Sequence, residues 1–223
     1  EVSGVIIKGV GQKAFCAGGD IVSVYHSRNK PDVNLKDNFF REEYILNLSI
    51  ANFSKPWISI LNGIAMGGGL GLSVHGSHRI VNSRTITAMP ETAIGLFPDV
   101  GGGYFLSRMG VVGTYLALTG RIMDALDSLY VGIGSSYIDD ENIDNLIKTI
   151  INKNKYDKKF IDGLLTEASN NFVNKKSSLE KELIFIKKHF SEDNIIKIFN
   201  SLKKDNSEWA QDTLKVLMKK SPT

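Results

Sequence analysis

Two carboxylates eight residues apart, Glu91 and Asp99, sit in a stretch that is otherwise apolar: Ala88, Met89, Ile94, Leu96, Phe97 and Val100 surround them. Burial in such a setting raises a carboxyl pKa, and a second carboxylate nearby raises it further. One group can then serve as base and the other as acid near neutral pH. A plainer role is open to the same pair, with Glu91 at a turn and Asp99 capping a helix that starts near Gly101. Two glycine-rich segments favour the chemical reading. Ala17-Gly18-Gly19-Asp20 and Gly67-Gly68-Gly69 each follow a predicted strand and open a predicted helix. The N–H groups at a helix start lack partners and carry partial positive charge, and glycine lets a substrate atom approach them. Two such groups converging on one point, one from each segment, would make an oxyanion hole.

The remaining candidates carry weaker signals. His75 and His78 have a spacing that suits two metal ligands on a helix, but no carboxylate lies at a matching distance, so no metal site is expected. No serine sits in a Gly-x-Ser-x-Gly elbow. The single cysteine, Cys16, follows Ala14-Phe15 and reads as a buried structural thiol. Gly9 and Gly11 after the first apolar run make at most a fragment of a dinucleotide loop, lacking its third glycine.

The elements that must position these residues alternate between strand and helix. Val2–Ile7 reads as a buried strand, Asp20 as the N-cap of a helix running to about Arg28, Arg28–Lys36 as a loop, and Asn38–Asn52 as a helix. Trp57–Leu61 is a strand, Gly67–His75 a helix, Arg79–Val81 and Thr85–Ala88 are strands, and Gly101–Met109 and Val112–Thr119 are helices. This alternation predicts an α/β fold with mainly parallel sheets. Beyond residue 134 the chain reads as helical throughout, with segments at Glu141–Ile151, Lys158–Ala168, Leu179–Phe190, Asn194–Leu202 and Ser207–Met218, and a solvated linker at 152–155.

Composition divides the 223 residues in the same place. Twenty of the 21 glycines precede residue 135, whereas 16 of the 27 basic residues, all lysine, follow residue 134. Residues 1–134 are therefore expected to hold the functional core, and 135–223 a helical region. A hydrophobic fraction of 42% and a net charge of +3 suit an ordinary globular chain and give no nucleic-acid signal. One cysteine excludes a disulfide scaffold. No apolar run reaches the length of a membrane span. The chain opens without Met inside a strand pattern and breaks off after a helix, so it reads as part of something longer, with no targeting segment in view.

These stretches resemble the crotonase superfamily, whose members bind acyl-CoA thioesters. Lys13–Asp20 (KAFCAGGD) is similar to its first oxyanion motif and Gly63–Gly69 (GIAMGGG) to its second. The resemblance implies a ββα spiral core followed by a helical region, the Gly19 and Gly68 N–H groups on the thioester oxygen, and Ala17 and Asp20 near coenzyme A. Enoyl-CoA hydratases of that superfamily carry a Glu two positions after the second motif. Gly71 stands there in this chain, and Asp99 stands where hydratases usually have Gly. That exchange resembles the 3-hydroxyisobutyryl-CoA hydrolase family. So do Phe39–Tyr44 (FFREEY), Met66–Gly76 (MGGGLGLSVHG) and Met89–Phe105 (MPETAIGLFPDVGGGYF).

That family's catalytic pair falls on Glu91 and Asp99, and a substrate-contacting Glu falls on Glu43. The resemblance further implies a thioester hydrolase of valine breakdown, a mitochondrial location, and no cofactor beyond the coenzyme A of the substrate. It implies that the family's first strands and last helices lie outside this chain. A homo-oligomer is open. One departure is Ser136, where the family usually has His in the segment after Gly132, which bears on local packing. Two alternatives stand beside the hydrolase: an enoyl-CoA hydratase or isomerase, and a structural subunit of a mitochondrial small ribosomal subunit.

Overall fold

A computed structural model of the chain describes residues 2–27, 35–153, 157–169 and 176–221. Two parallel sheets are built by alternation. The first takes β1 (Val5–Lys8), β3 (Trp57–Leu61), β5 (His78–Val81) and β7 (Ser136–Tyr137) in that order; the second takes β2 (Ala14–Cys16), β4 (Ile64–Met66) and β6 (Ile86–Ala88). The chain thus steps from a long strand to a short one and then into helix, three times over: α1 (Ile21–Ser27) and α2 (Leu35–Ala51), then α3 (Gly68–Gly71), then a 3-10 turn (Glu91–Ile94) and α4 (Gly102–Ser107). Helices α5 (Val111–Thr119) and α6 (Ala125–Tyr130) lead into β7. The rest is helical: α7 (Asp140–Ile151), α8 (Lys158–Ala168), α9 (Ser178–Phe190), α10 (Ile195–Lys204) and α11 (Glu208–Met218).

The corner between β3 and β4 shows why the step needs glycine. Gly63 has φ +85°, and a Cβ there would lie 2.5 Å from the Lys13 carbonyl oxygen of the neighbouring corner. Alternate faces of the first sheet feed two cores. Ile58, Ile60 and Ile80 pack with Ile143, Leu146, Ile150, Ile161 and Leu165 of α7 and α8. Leu61 and Val81 join Phe15, Ala65, Leu70, Phe105 and Leu116, and the same cluster takes in Leu179, Ile186, Phe190, Leu202 and Leu217 of α9–α11. Side chains from both sides of residue 134 therefore share both cores. Each fully buried Leu or Ile contributes about 1.5–3 kcal/mol.

Several expectations need correction. The first strand begins at Val5 and is half-exposed, because it is the edge of its sheet. The three-residue strands β2 and β4 were not foreseen, since three residues are too few to show alternation. The helix expected over 67–75 is a single turn, α3. Trp57 ends it: its Nε1–H donates to the Leu72 carbonyl at 3.2 Å, and its ring packs against Gly76. The stretch after 134 is not wholly helical, because β7 extends the first sheet beside β5. There the Ser135 hydroxyl accepts from the Arg79 N–H and reaches the Arg79 carbonyl, so the junction near Ser136 is closed by hydrogen bonds. Helix α2 starts at Leu35, inside the expected loop; 28–34 of that loop, and 154–155 of the expected linker, lie outside the described residues.

Candidate active site

Four elements meet at a small cavity of about 150 Å³. The turn after β2 brings Gly18 and Gly19, the start of α3 brings Gly68, α2 brings Glu43, and the segment after β6 brings Glu91 and Asp99. The two glycine turns converge. A methyl group on Gly68 would lie 3.5 Å from the Gly19 nitrogen, so the two amides border one space. Among the described residues neither the Gly19 nor the Gly68 N–H has a hydrogen-bond acceptor. Glycine is required at several of these positions: Gly18 and Gly67 have φ of +107° and +51°, and a methyl group on Gly67 would lie 2.7 Å from Glu91 Oε1.

Glu91 opens the 3-10 turn and is 5% exposed. Its Oε2 is buried and unpartnered among the described residues. Burial, with added repulsion from Asp99 and Glu43, pushes its pKa up to about 7, against the pull of a hydrogen bond from its own backbone. Glu43 is also raised, by burial first and by Asp99 second. Its carboxylate is in close contact with Gly68.

Asp99 is not the cap of α4. The cap position is Gly101, with φ +83°, and the buried Asp99 carboxylate instead accepts a hydrogen bond from the Tyr44 hydroxyl at 2.8 Å. Helix α2 thus contributes Glu43 to the small cavity and Tyr44 to Asp99. No spacing rule links Tyr44 to a residue 55 positions away, which is why sequence reasoning missed it.

Of the remaining expected site residues, Ala17 lines the cavity. Asp20 is N-cap of α1, accepting from the Ser23 N–H at 2.9 Å and the Ser23 hydroxyl at 2.7 Å, bonds that hold its carboxyl below the usual range. Its carboxylate is outside the cavity lining. Cys16 lies in β2 and is half-buried rather than buried. The two histidines serve different neighbours. His75 Nε2 lies 2.7 Å from the Val100 carbonyl, and His78 joins Ser77 to Asp162 of α8.

Gly71 is buried against α2 and the turn after Asp99. A Cβ there would lie 2.7 Å from Val100 Cβ and 2.9 Å from Asn47 Nδ2. The space that a hydratase-type Glu would need is therefore filled. Gly71→Glu is expected to lose about 3 kcal/mol or more of stability, through overpacking and a buried unpaired charge, and to gain no hydratase activity. Urea unfolding together with an assay on crotonyl-CoA checks both parts.

The interleaved parallel sheets and the site between their glycine turns define a crotonase-like α/β fold. The enoyl-CoA hydratase/isomerase family model matches residues 1–223, and the chain belongs to that family. Among curated proteins it is 43% identical over 227 residues to the 3-hydroxyisobutyryl-CoA hydrolase, mitochondrial, of Danio rerio, covering 100% of this chain and 59% of that protein. It is 44% identical over 223 residues to the Bos taurus protein of the same name and 42% identical over 224 to that of Homo sapiens, in each case covering 98% of this chain and 58% of the relative. The chain thus spans less than two thirds of these relatives. Two solved structures superpose closely. A carnitinyl-CoA dehydratase from Mycobacterium thermoresistibile has a TM-score of 0.87 and 33% identity, over 99% of this chain and 63% of its own. An enoyl-CoA hydratase from Rhodobacter sphaeroides 2.4.1 has a TM-score of 0.85 and 34% identity, over 99% and 62%.

Proposed function

We propose that this chain carries the active site of a hydrolase that cleaves the thioester of 3-hydroxyisobutyryl-CoA to 3-hydroxyisobutyrate and coenzyme A, a step of valine breakdown. The observation that carries the reading is the meeting of buried Glu91 and Asp99 with two open glycine N–H groups in one small cavity. Gly71, where a second hydratase carboxylate has no room, and relatives named for this hydrolase support it. The mitochondrial names of those relatives support a mitochondrial location.

The thioester carbonyl oxygen is held by the Gly19 and Gly68 N–H groups, which strengthen their hold as negative charge develops there. Two routes share this geometry. In one, ionised Glu91 takes a proton from water as the water oxygen attacks the acyl carbon. In the other, a Glu91 oxygen attacks, and water then cleaves the resulting anhydride. In the first route the carbon–sulfur bond breaks and the proton that Glu91 took from water passes to the leaving sulfur. In the second the thiolate leaves as the anhydride forms, and the water that cleaves the anhydride frees Glu91 and the acid and supplies the proton for the thiolate. Asp99 and Glu43 are acceptors for the substrate hydroxyl, and Asp99 assists proton transfer. Coenzyme A enters as part of the substrate and no cofactor is invoked.

The test compares thiol release from 3-hydroxyisobutyryl-CoA and from crotonyl-CoA, using the whole protein. Rapid release from the first alone is expected. No release from either by a folded preparation would remove the hydrolase reading.

A further inference from the structure

Asp99 stands between two cavities. On one side is the small chamber with Glu91 and the glycine amides. On the other is a wider space of about 760 Å³, lined by Tyr44, Phe97, Tyr104, Ile195 and Ile198 as well as Asp99 itself. A carboxylate at such a border works on the small side only if something keeps it from turning to the wide one.

Its main chain is held firmly. Val100 has φ +43°, the sole positive φ outside glycine among the described residues, and Gly101 follows at +83°. A β-branched residue in that region is strained, and such strain persists only where neighbours enforce it. The enforcing contacts are visible: His75 Nε2–H donates to the Val100 carbonyl at 2.7 Å, and the Gly102 N–H donates to the Asp99 carbonyl at 2.6 Å.

The side chain has one restraint. Among the described residues the Tyr44 hydroxyl is the sole hydrogen-bond donor to the Asp99 carboxylate, on Oδ2. Tyr44 packs its ring against Phe40 on the same helix, with centroids 6.0 Å apart. The charged or titratable groups facing this pair across the small cavity are Glu43 and Glu91, both acids, so neither supplies a second donor when ionised.

We infer that Tyr44 is a positioning residue, whose hydroxyl occupies Asp99 Oδ2 on the wide side and leaves Oδ1 for the reacting group. This rests on the hydrolase reading of Asp99. Burial and the neighbouring Asp99 raise the Tyr44 pKa, so the phenol keeps its proton and acts as a donor rather than as a proton source.

The test uses Tyr44→Phe, Asp99→Asn and the double variant in the whole protein, with steady-state thiol release from 3-hydroxyisobutyryl-CoA. Losing one hydrogen bond to a charged group is expected to lower kcat about 10- to 100-fold. KM should stay within about twofold, because Glu43 and the two glycine N–H groups still hold the substrate. The melting temperature should stay within a few degrees, because Tyr44 is 38% exposed. In the Asp99→Asn background, removing the hydroxyl should cost almost nothing more. Unchanged kcat in Tyr44→Phe, a loss confined to KM, or an equal loss in both backgrounds would overturn the proposal while leaving the role of Asp99 standing. Wild-type turnover by Asp99→Asn would overturn both.

Discussion

Glu91→Gln is expected to slow thiol release by about 10²–10⁴-fold, the range for losing a positioned acid or base, while making the protein more stable at pH 8. The two effects share a cause. A carboxylate buried against Gly67, with Asp99 and Glu43 close by, titrates near 7 instead of near 4.5. Between those values the folded chain holds a proton that the unfolded chain has already lost. Stability therefore falls as pH rises through that window, and above 7 the whole cost is present. Gln resembles the protonated acid, so it removes a cost on the order of 2 kcal/mol at pH 8 and changes little at pH 4. Urea unfolding of wild type and variant at both pH values reads this directly. The wild-type rate should rise through pH 7, since both a base and a nucleophile need the ionised group. A variant that is inactive but no more stable at pH 8 would mean that Glu91 is better solvated than its 5% exposure indicates. A variant that retains activity would remove Glu91 from the chemistry.

How much of this was legible in the sequence depends on the distance between partners. Gly18-Gly19, Gly67–Gly69, Glu91 and Asp99 were readable because each announces itself within a few residues: glycine where a chain must turn, a carboxylate among apolar neighbours. The structure brings all of them except Gly69 to one cavity. The long helices were readable because their apolar positions repeat over three turns or more, and α8 falls on Lys158–Ala168 as its periodicity predicts. What failed was either very short or very remote. Strands β2 and β4 are three residues each and owe their existence to pairing with each other and with β6, which local pattern does not encode. The end of α3 is set by Trp57, and the partner of Asp99 comes from α2. The cap reading of Asp99 failed for a related reason. The turn at Val100 and Gly101 is left-handed, which gives the cap position to Gly101 and sends the Asp99 side chain inward.

The same convergence gives Gly68→Ala its expected effect. Gly68 has no positive φ, so alanine fits the backbone, and the nearest atom to the new methyl group is the carboxylate end of Glu43, a side chain that can move aside. Folding should survive. This separates Gly68 from Gly67, where φ +51° would strain any substitution. Chemistry should not survive, because the methyl would lie 3.5 Å from the Gly19 nitrogen, in the space where a carbonyl oxygen must sit to meet both amides. Removing one such donor typically costs about 10²–10³-fold in kcat, and here the methyl obstructs access to both. The expected result is a melting temperature within a few degrees of wild type and thiol release at least about 10²-fold slower. The displaced Glu43 provides a control. Glu43→Asp shortens the side chain by one methylene, so it relieves the crowding while keeping a carboxylate, and Gly68→Ala/Glu43→Asp should be no faster than Gly68→Ala. Recovery in the double variant would show that Glu43 displacement, not the blocked amides, caused the loss, and would move the oxygen-binding role away from Gly68.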